Sequence, residues 1–208
     1  MSNPSQPLIG QPLPLLVVLS GPSGAGKDTV ISRMKALAYP LHYVVTLTTR
    51  RKRAGEKDGV DYHFVSEARF REMSQQGELL EYAQVYGNWY GIPREQVRRA
   101  LSQGQDVIVK TDVQGAATIK RLVPQAVFIF LVPPSLEELE KRLRQRNTEG
   151  RFDLELRLKT ARAEMEQLPS FDYVVVNQQD GLEQVVSCVI SIITAEKCRG
   201  KQRRVEIR

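Results

Sequence analysis

The chain has 208 residues, of which 41% are hydrophobic and 26% are charged. This composition is close to the average of soluble globular proteins and permits a sizeable core in one domain. No apolar run reaches the roughly 20 residues of a membrane span, which excludes a helical membrane protein. The net charge of +6 fits either a solvated basic surface or an anionic partner, such as a nucleotide or a nucleic acid.

Both ends of the chain look peripheral to a folded domain. The first 14 residues hold four prolines and lack the basic and apolar regions of a signal peptide, so we expect a disordered leader at 1–13. Residues 198–208 are basic and are expected to form a frayed tail. Cys188 and Cys198 lie in one helical pattern, roughly 15 Å apart, which is too far for a disulfide. Without a disulfide or a zinc pattern, a cytoplasmic protein is predicted.

Five short apolar runs predict strands that are buried on both faces of a parallel sheet. These runs are 15–20, 43–48, 107–112, 127–132 and 173–177. Helical patterns lie between them, at 27–37, 113–121, 135–146, 153–168 and 182–197. The pattern at 135–146 begins with Ser135 and Glu138 in capping-box spacing. Alternating strands and helices predict an α/β fold, with a five-stranded parallel sheet flanked by helices.

Two segments interrupt this alternation. Residues 49–105 are polar and contain two further helical patterns, near 67–76 and 93–103. A segment of this length is too long for a loop in a compact domain, so we expect an inserted lobe. A shorter Arg-rich segment between two helices is predicted to form a lid.

The stretch "LLVVLSGPSGAGKDTV" (15–30) joins an apolar strand to a helix through a glycine-rich turn. It fits the phosphate-binding pattern G-x-x-x-x-G-K-[ST], except that Asp28 stands in place of Ser or Thr. A glycine turn could match by chance, but the strand before it and the helix after it favour a nucleotide site. The predicted ATP-binding residues are Gly21, Pro22, Ser23, Gly24, Ala25, Gly26, Lys27, Asp28 and Thr29.

Asp28 has two interpretations. A carboxylate in the first turn of a helix is favourable through the helix dipole, so the favoured interpretation is that Asp28 caps the helix and points away from the phosphates. The alternative is that it holds metal-bound water, because a carboxylate close to phosphates is repulsive unless a metal intervenes. The hydroxyl of Thr29 remains nearby as a metal ligand.

Several spaced motifs then carry a resemblance to a known family. "TLTTRRKRAGEKDGVDYHFV" (46–65) resembles the guanylate kinase pattern T-T-R-x-x-R-x-G-E-x-x-G-x-x-Y-x-F. "LLEYAQVYGNWYG", "TDVQGA", "FLVPPSLEELEKRLRQRNTE" and "VVVN" follow in the family order. From 14 to 197 the chain resembles a guanylate kinase, a nucleoside monophosphate kinase of the P-loop fold.

The resemblance implies a domain organisation and an activity. The core is expected at 14–48, 96–142 and 157–197, the GMP-binding lobe at 49–95 and the lid at 143–156. The implied activity is the transfer of the ATP γ-phosphate to GMP, with Mg²⁺, within purine nucleotide metabolism. The implied partners are GMP and ATP alone, with no membrane and no specific nucleic acid, and the protein is expected to be a monomer or a homodimer.

The resemblance also implies a set of GMP-binding residues. They are Thr46, Arg50, Arg53, Tyr62, Glu81, Tyr90 and Asp112. Guanidinium groups and tyrosine hydroxyls suit a phosphate, although "RRKR" alone would indicate a solvated basic run or a nucleic-acid patch. The carboxylate of Glu81 accepts hydrogen bonds from the N1–H and N2–H₂ donors of guanine, with help from the hydroxyl of Thr46. Taken alone, Glu81 could be an exposed strand residue.

The remaining implied residues serve the phosphates and the metal. Lys27, Arg142, Arg146 and Arg157 are the implied catalytic residues, and Asn177 lies on the adenine side. Thr29 and Asp112 are the candidate Mg²⁺ ligands, directly or through water. Each has a simpler explanation: the arginines fit a charged helix face with i, i+4 partners, Asp112 fits a helix cap, and Asn177 fits a turn.

Three residues depart from the family pattern, namely Asp28, Lys110 and Ile92. Lys110 stands where the family has an acidic residue, and Ile92 stands where it has Ser or Thr, which puts the details of GMP binding in doubt. Two alternatives therefore stay open: a P-loop kinase with a different phosphate acceptor, and a non-catalytic interaction module of guanylate kinase type.

Overall fold

The computed structural model describes residues 12–145 and 151–207, which contain nine strands and seven α-helices. The core strands are β1 (Leu16–Ser20), β2 (His42–Tyr43), β7 (Val107–Lys110), β8 (Val127–Val132) and β9 (Tyr173–Val176); the lobe strands are β3 (Leu47–Thr48), β4 (His63–Phe64), β5 (Leu79–Val85) and β6 (Asn88–Pro93). The helices are α1 (Lys27–Ala36), α2 (Glu67–Gln75), α3 (Arg94–Ser102), α4 (Val113–Leu122), α5 (Leu136–Gln145), α6 (Arg151–Met165) and α7 (Leu182–Lys197). Within these ranges, no helix is both long and apolar enough to cross a bilayer.

The core sheet is parallel throughout, with the strand order β2-β7-β1-β8-β9. The central strand β1 is buried on both faces. Val17 and Leu19 pack with apolar residues of α1 and α7, whereas Leu16 and Val18 pack with those of α3 and α4. The predicted α/β class and the five-stranded parallel sheet are confirmed, because continuous apolar runs suit strands that are covered by helices on both sides.

The parallel direction of the strands positions the site. The carboxyl ends of parallel strands meet at one edge of a sheet, where open α/β folds bind their ligands. The glycine-rich turn follows β1, Asp112 follows β7 and Asn177 follows β9. Residues that are far apart in the sequence therefore gather at this edge.

The lobe has its own sheet, in the order β4-β3-β6-β5, and its own small apolar cluster around Leu47, Phe70 and Leu79. The run 43–48, which predicts a single core strand, is divided between the two sheets. β2 pairs with β7 in the core, whereas β3 pairs with β4 and β6 in the lobe. The single-strand prediction is wrong because an apolar, β-branched run shows that its residues are buried but not which strands they pair with.

The predicted lid lies between α5 and α6. The hydroxyl of Ser135 accepts the backbone N–H of Glu138 at 3.2 Å at the start of α5, as its capping spacing predicts. Leu139 and Leu143 of α5 pack against Leu154 and Ala161 of α6. Residues 146–150, the middle of the predicted lid, lie outside the described residues.

The C-terminal segment packs against the domain, so the expectation of a frayed tail is wrong. Val205 packs against the cluster formed by β1, α3 and α4. Arg203 donates to Glu196 Oε2 at 2.7 Å and to the carbonyl of Ala126 at 3.0 Å. Glu196 is only 1% exposed, so Arg203 compensates a buried charge. A run of basic residues predicts solvation only where no buried acid is within reach.

We expect Arg203→Ala to lower the free energy of unfolding by about 1–3 kcal/mol, because it removes charge-assisted hydrogen bonds from a buried carboxylate. Urea unfolding measures this change. Arg204→Ala is the matched control, since Arg204 is exposed and its loss changes the net charge equally; its effect is expected to stay within about 0.5 kcal/mol. Equal effects of both variants would contradict a stabilising role for Arg203.

Candidate functional site

A cleft of about 940 Å³ lies between the carboxyl edge of the core sheet, the lobe and α6. Its volume is within the range of ligand-binding pockets. Most of the predicted site residues line it: Gly21, Ser23, Gly24, Gly26, Lys27, Asp28, Thr46, Arg53, Tyr62, Glu81, Tyr90, Asp112 and Arg157. The structure thus brings together residues from the P-loop, the lobe, the end of β7 and α6.

The glycine-rich turn is a close-packed P-loop. Gly21 has φ +142°, and a Cβ atom there would lie 2.1 Å from the carbonyl oxygen of Leu131. Gly26 has φ +97° and is the N-cap of α1. Pro22 and Ala25 close the turn, with the N–H of Ala25 donating to the carbonyl of Pro22 at 3.1 Å. These constraints explain why glycine occupies both positions.

Asn177 and Arg142 support this loop from behind. The side-chain amide of Asn177 donates to the carbonyl of Ala25 at 2.7 Å. Arg142 donates to the carbonyl of Asn177 at 3.0 Å and to Glu138 Oε1 at 2.9 Å. Both predicted site residues therefore lie one layer behind the residues that line the cleft, where they fix the backbone of the P-loop.

Lys27 lies at the centre of the cleft and folds back onto its own loop. Its Nζ donates to the carbonyls of Gly21 at 2.5 Å and Pro22 at 3.2 Å. Burial lowers the pKa of Lys27, and the negative charges of Asp28 and Glu164 are the main opposing effects. The ammonium group is therefore held by neutral carbonyls at the place where a P-loop lysine binds phosphate.

Glu164 of α6 is a cleft residue that the sequence analysis does not identify. It lines the cleft close to Lys27. Its Oε2 atom is buried without a hydrogen-bond partner among the described residues. Burial raises the pKa of Glu164, and the charge of Lys27 is the main effect that opposes the rise. Its signal in the sequence is weak because it is one of many acidic residues in a charged helix.

Asp28 points into the cleft, so the interpretation that it caps the helix and points away is wrong. The N-cap of α1 receives no side-chain hydrogen bond. The Oδ1 atom of Asp28 instead accepts a short hydrogen bond from Nζ of Lys110, at the end of β7. Lys110 also donates to the hydroxyl of Tyr62 at 3.1 Å. Two of the three departures from the family pattern are thus partners in one ion pair.

The lobe places its basic residues at and beside the cleft: Arg53 lines it, whereas Arg50 is not among the lining residues. The guanidinium of Arg50 donates to Glu56 Oε1 at 2.7 Å, and the backbone N–H of Arg53 donates to Glu56 Oε2 at 2.7 Å. Arg50 also lies over the ring of Tyr62, 5.4 Å from its centroid. Tyr62 and Tyr90 meet edge to face, with their centroids 6.1 Å apart. Glu56, which has no role in the predicted site, therefore holds the side chain of Arg50 and the backbone of Arg53.

The acidic side of the cleft is formed by Glu81, which is 4% exposed. Its Oε1 accepts the hydroxyl of Thr111 at 2.9 Å, while its Oε2 has no hydrogen-bond partner among the described residues. Burial raises the pKa of Glu81 to about 7; the bond from Thr111 opposes the rise and the charge of Asp112 adds to it. Thr46, which is 6% exposed, lines the same cleft. Glu81 is therefore a buried acceptor and not an exposed strand residue.

Asp112 caps α4 and also lines the cleft. Its Oδ1 accepts the backbone N–H of Gly115 at 2.8 Å. A Cβ atom at Gly115 would lie 2.1 Å from the hydroxyl of Thr111 and 2.6 Å from Glu81 Oε2, so glycine leaves room for the carboxylate. The capping residue therefore also faces the cleft, and the role of Asp112 in the site stays a prediction.

The α6 wall carries Arg157, whose guanidinium lies over the ring of Tyr86, 5.0 Å from its centroid. Tyr86 and Gly87 form the tip of the β5–β6 hairpin, both with positive φ. The tip of the lobe therefore contacts α6 across the mouth of the cleft. Arg146, the third predicted catalytic arginine, lies outside the described residues.

The donors in the cleft fit a Mg²⁺ ion that arrives with a nucleotide. Mg²⁺ keeps several of its waters and takes one or two carboxylates beside substrate phosphates. Asp28, Asp112 and Glu164 all lie near enough to Lys27 to affect its pKa. In the described ranges, no cluster of three acidic, His or Cys side chains could hold an ion by itself. Thr29 is exposed on α1, outside the residues that line the cleft.

Ile92, the third departure, lies in the core and not in the cleft. Its side chain is fully buried and packs with Leu80 and Val97. It pairs across the strands with Glu81. An apolar residue here fills space behind the site, so the loss of a hydroxyl leaves the lining of the cleft unchanged.

The comparison with protein families matches the model described as guanylate kinase over residues 14–196. The chain belongs to the guanylate kinase family. A guanylate kinase of Desulfitobacterium hafniense is 46% identical over 189 residues, which are 91% of this chain and 94% of the relative. Guanylate kinase 2, chloroplastic/mitochondrial, of Oryza sativa subsp. japonica is 48% identical over 98% of this chain and 72% of its own length.

A solved structure agrees with this assignment. The crystal structure of guanylate kinase from Anaplasma phagocytophilum has a TM-score of 0.73 and 32% sequence identity to this chain. The match covers 91% of this chain and 89% of the solved one. The guanylate kinase fold therefore includes the core and the lobe together.

The raised pKa of Glu81 predicts a pH-dependent stability. Folding raises this pKa from 4.5 to about 7, so between these values the folded state binds more protons than the unfolded state, and stability falls as the pH rises. At pH 8 the ionised group costs up to about 3 kcal/mol. We expect Glu81→Gln to gain stability relative to the wild type in urea at pH 8, with a much smaller gain at pH 5, where only a small part of the loss has occurred.

Glu166→Gln is the matched control for this experiment, because Glu166 is exposed on the same chain. It is expected to match the wild type at both pH values. A stability difference for Glu81→Gln that is the same at pH 5 and pH 8 would contradict the assignment of a raised pKa.

Proposed function

We propose that this protein transfers the γ-phosphate of ATP to GMP, giving ADP and GDP. The observation that most directly supports it is the buried Glu81, whose Oε2 atom lacks a hydrogen-bond partner among the described residues. Guanine presents N1–H and N2–H₂ as adjacent donors, which one carboxylate accepts together. Adenine presents an acceptor at N1 and no amino group at C2, so it would leave the buried carboxylate unpaired, a costly mismatch.

The acceptor phosphate is proposed to bind Arg50, Arg53, Tyr62 and Tyr90. Two guanidinium groups and two phenol hydroxyls suit a phosphate dianion, because charge-assisted hydrogen bonds are the stronger ones. Glu56 holds the guanidinium of Arg50 and the backbone of Arg53. Thr46 and Asp112 complete the guanine side of the cleft, next to Glu81.

The donor phosphates are proposed to bind the P-loop. The backbone N–H groups of residues 21–26, the amino end of α1 and Lys27 provide positive charge toward them. A bound Mg²⁺ would supply positive charge that offsets the charge of the phosphates, and the carboxylates that would hold it, directly or through water, are Asp28, Asp112 and Glu164, which all lie near Lys27. We assign no general base, because the acceptor is already an anion and catalysis rests on positioning.

The arginines of α5, α6 and the lid are proposed to complete the site. Arg157 lines the cleft and would stabilise charge on the transferred phosphoryl group. Arg142 acts behind the loop, through Asn177. The proposed lid, 143–156, and its Arg146 would exclude water on closure.

ADP release from ATP tests the proposal, with GMP, AMP, CMP and UMP offered separately, each with and without Mg²⁺. We expect metal-dependent turnover with GMP alone. Turnover with another acceptor would support a kinase of different specificity. No turnover in folded protein would leave the non-catalytic module as the better description.

Arg50→Ala tests the acceptor site. We expect kcat/KM for GMP to fall by about ten- to a hundredfold or more, because charge-assisted hydrogen bonds to the phosphate are lost. Arg51→Ala is the matched control in the same basic run, since Arg51 is exposed and only its backbone carbonyl contacts Arg50. Equal kinetics of the two variants would show that the phosphate binds elsewhere.

A further inference from the structure

Asp28 and Lys110 lie 82 residues apart in the sequence and form an ion pair at the cleft. Asp28 belongs to the first turn of α1, directly after the P-loop lysine, and Lys110 ends the core strand β7. Each residue alone is an unexplained departure from the family pattern. Together they bring a cation and its counter-charge to the boundary between the P-loop and the lobe.

The ammonium group of Lys110 is held against the acceptor wall. Its Nζ donates to the hydroxyl of Tyr62 at 3.1 Å and lies 4.3 Å from the centroid of the same ring. The side chain of Lys110 is 17% exposed. The charge therefore has a fixed position between Tyr62, on the acceptor side, and Asp28, on the donor side.

The ion pair is poorly explained as a device for stability. The side chain of Asp28 is 54% exposed, and ion pairs with an exposed partner contribute little to stability. Burying most of a lysine side chain opposes that gain. Lys110 also lies close enough to Lys27 for their positive charges to oppose each other. Two ammonium groups that converge on one cleft suit an anion bound between them.

We propose that Lys110 is a further phosphate-binding residue, which contacts the phosphate of the acceptor nucleotide on the side that faces the donor. In the free protein Asp28 is its counter-ion, and a bound phosphate takes over that role. This inference rests on the proposed function, since it assumes that Tyr62 belongs to the acceptor site.

A cation at this position has a specific use in phosphoryl transfer. The acceptor phosphate must approach a triphosphate, and the two anions repel each other. An ammonium group between them offsets this repulsion without a proton transfer, so that positioning alone brings the reacting oxygens together. Where the family pattern has an acidic residue, this chain has a positive charge beside the P-loop carboxylate.

Calorimetric titration with GMP and with guanosine, without ATP or Mg²⁺, tests the inference. The difference in affinity between the two ligands isolates the contribution of the phosphate. The variants are Lys110→Met, Lys110→Arg, Asp28→Asn and the double variant of Lys110→Met with Asp28→Asn. The binding of guanosine also reports whether each variant is folded.

We expect Lys110→Met to bind GMP about tenfold or more weakly than the wild type, with guanosine unchanged, because a charge-assisted hydrogen bond is lost. Lys110→Arg is expected to keep most of the phosphate contribution. Asp28→Asn is expected to bind GMP as tightly as the wild type or more tightly, since it removes a negative charge near the phosphate.

The double variant decides between a direct and an indirect role. If Lys110 contacts the phosphate, the double variant binds GMP about tenfold or more weakly than Asp28→Asn alone. If Lys110 only neutralises Asp28, the double variant binds GMP like Asp28→Asn, and the inference is overturned. A wild-type protein that bound GMP no more tightly than guanosine would instead refute the proposed acceptor site, and this inference with it.

Discussion

Charged groups that bind phosphate must have partners before the phosphate arrives, because an unpaired ion in a partly buried cleft is costly. Three of the basic groups at this site have internal partners. Lys27 donates to carbonyls of its own loop, Lys110 pairs with Asp28, and Arg50 pairs with Glu56. The buried carboxylate of Glu164 lies close enough to Lys27 for its charge to raise the pKa of the lysine. The acidic residues around the site are therefore part of its construction.

On the proposed guanine side, by contrast, the charged group lacks a full set of hydrogen-bond partners. Glu81 keeps only one hydrogen bond, from Thr111, and its second oxygen is buried without a partner among the described residues. The raised pKa of Glu81 reduces the cost of this arrangement in the free protein, since near neutral pH the group is partly protonated. A base with two adjacent donors would favour the ionised form. Under the proposed function, selectivity would arise from a group that is incompletely satisfied until guanine binds.

Local patterns predicted the parts of the fold that depend on local physics. The buried strands, the P-loop with Gly21 and Gly26, and the cap at Ser135 each follow from residues close together in the sequence. Pairing between distant residues was not predictable in this way. The division of the run 43–48 depends on which strands it meets, and the order in the C-terminal segment depends on the buried Glu196.

The same limit applied to the site. The family motif predicted Glu81 and the arginines Arg50 and Arg53 as site residues, because their spacing is a property of the sequence. The roles of Asp28, Lys110 and Glu164 depend on contacts between α1, β7 and α6, which no local pattern encodes. Asp28 and Lys110 each depart from the family pattern, and the structure shows that their opposite charges pair with each other.

The acidic residues that lie next to the basic groups of the site come from different parts of the molecule. Glu56 belongs to the lobe, Asp28 to α1 and Glu164 to α6. A ligand shifts a conformational equilibrium only by its differential interaction with the two states. A phosphate bound at Lys27 would change the charge that the buried carboxylate of Glu164 meets, and α6 also contacts the lobe through Arg157 and Tyr86. Exchange of counter-ions is thus a physical route by which donor binding can reach the acceptor side.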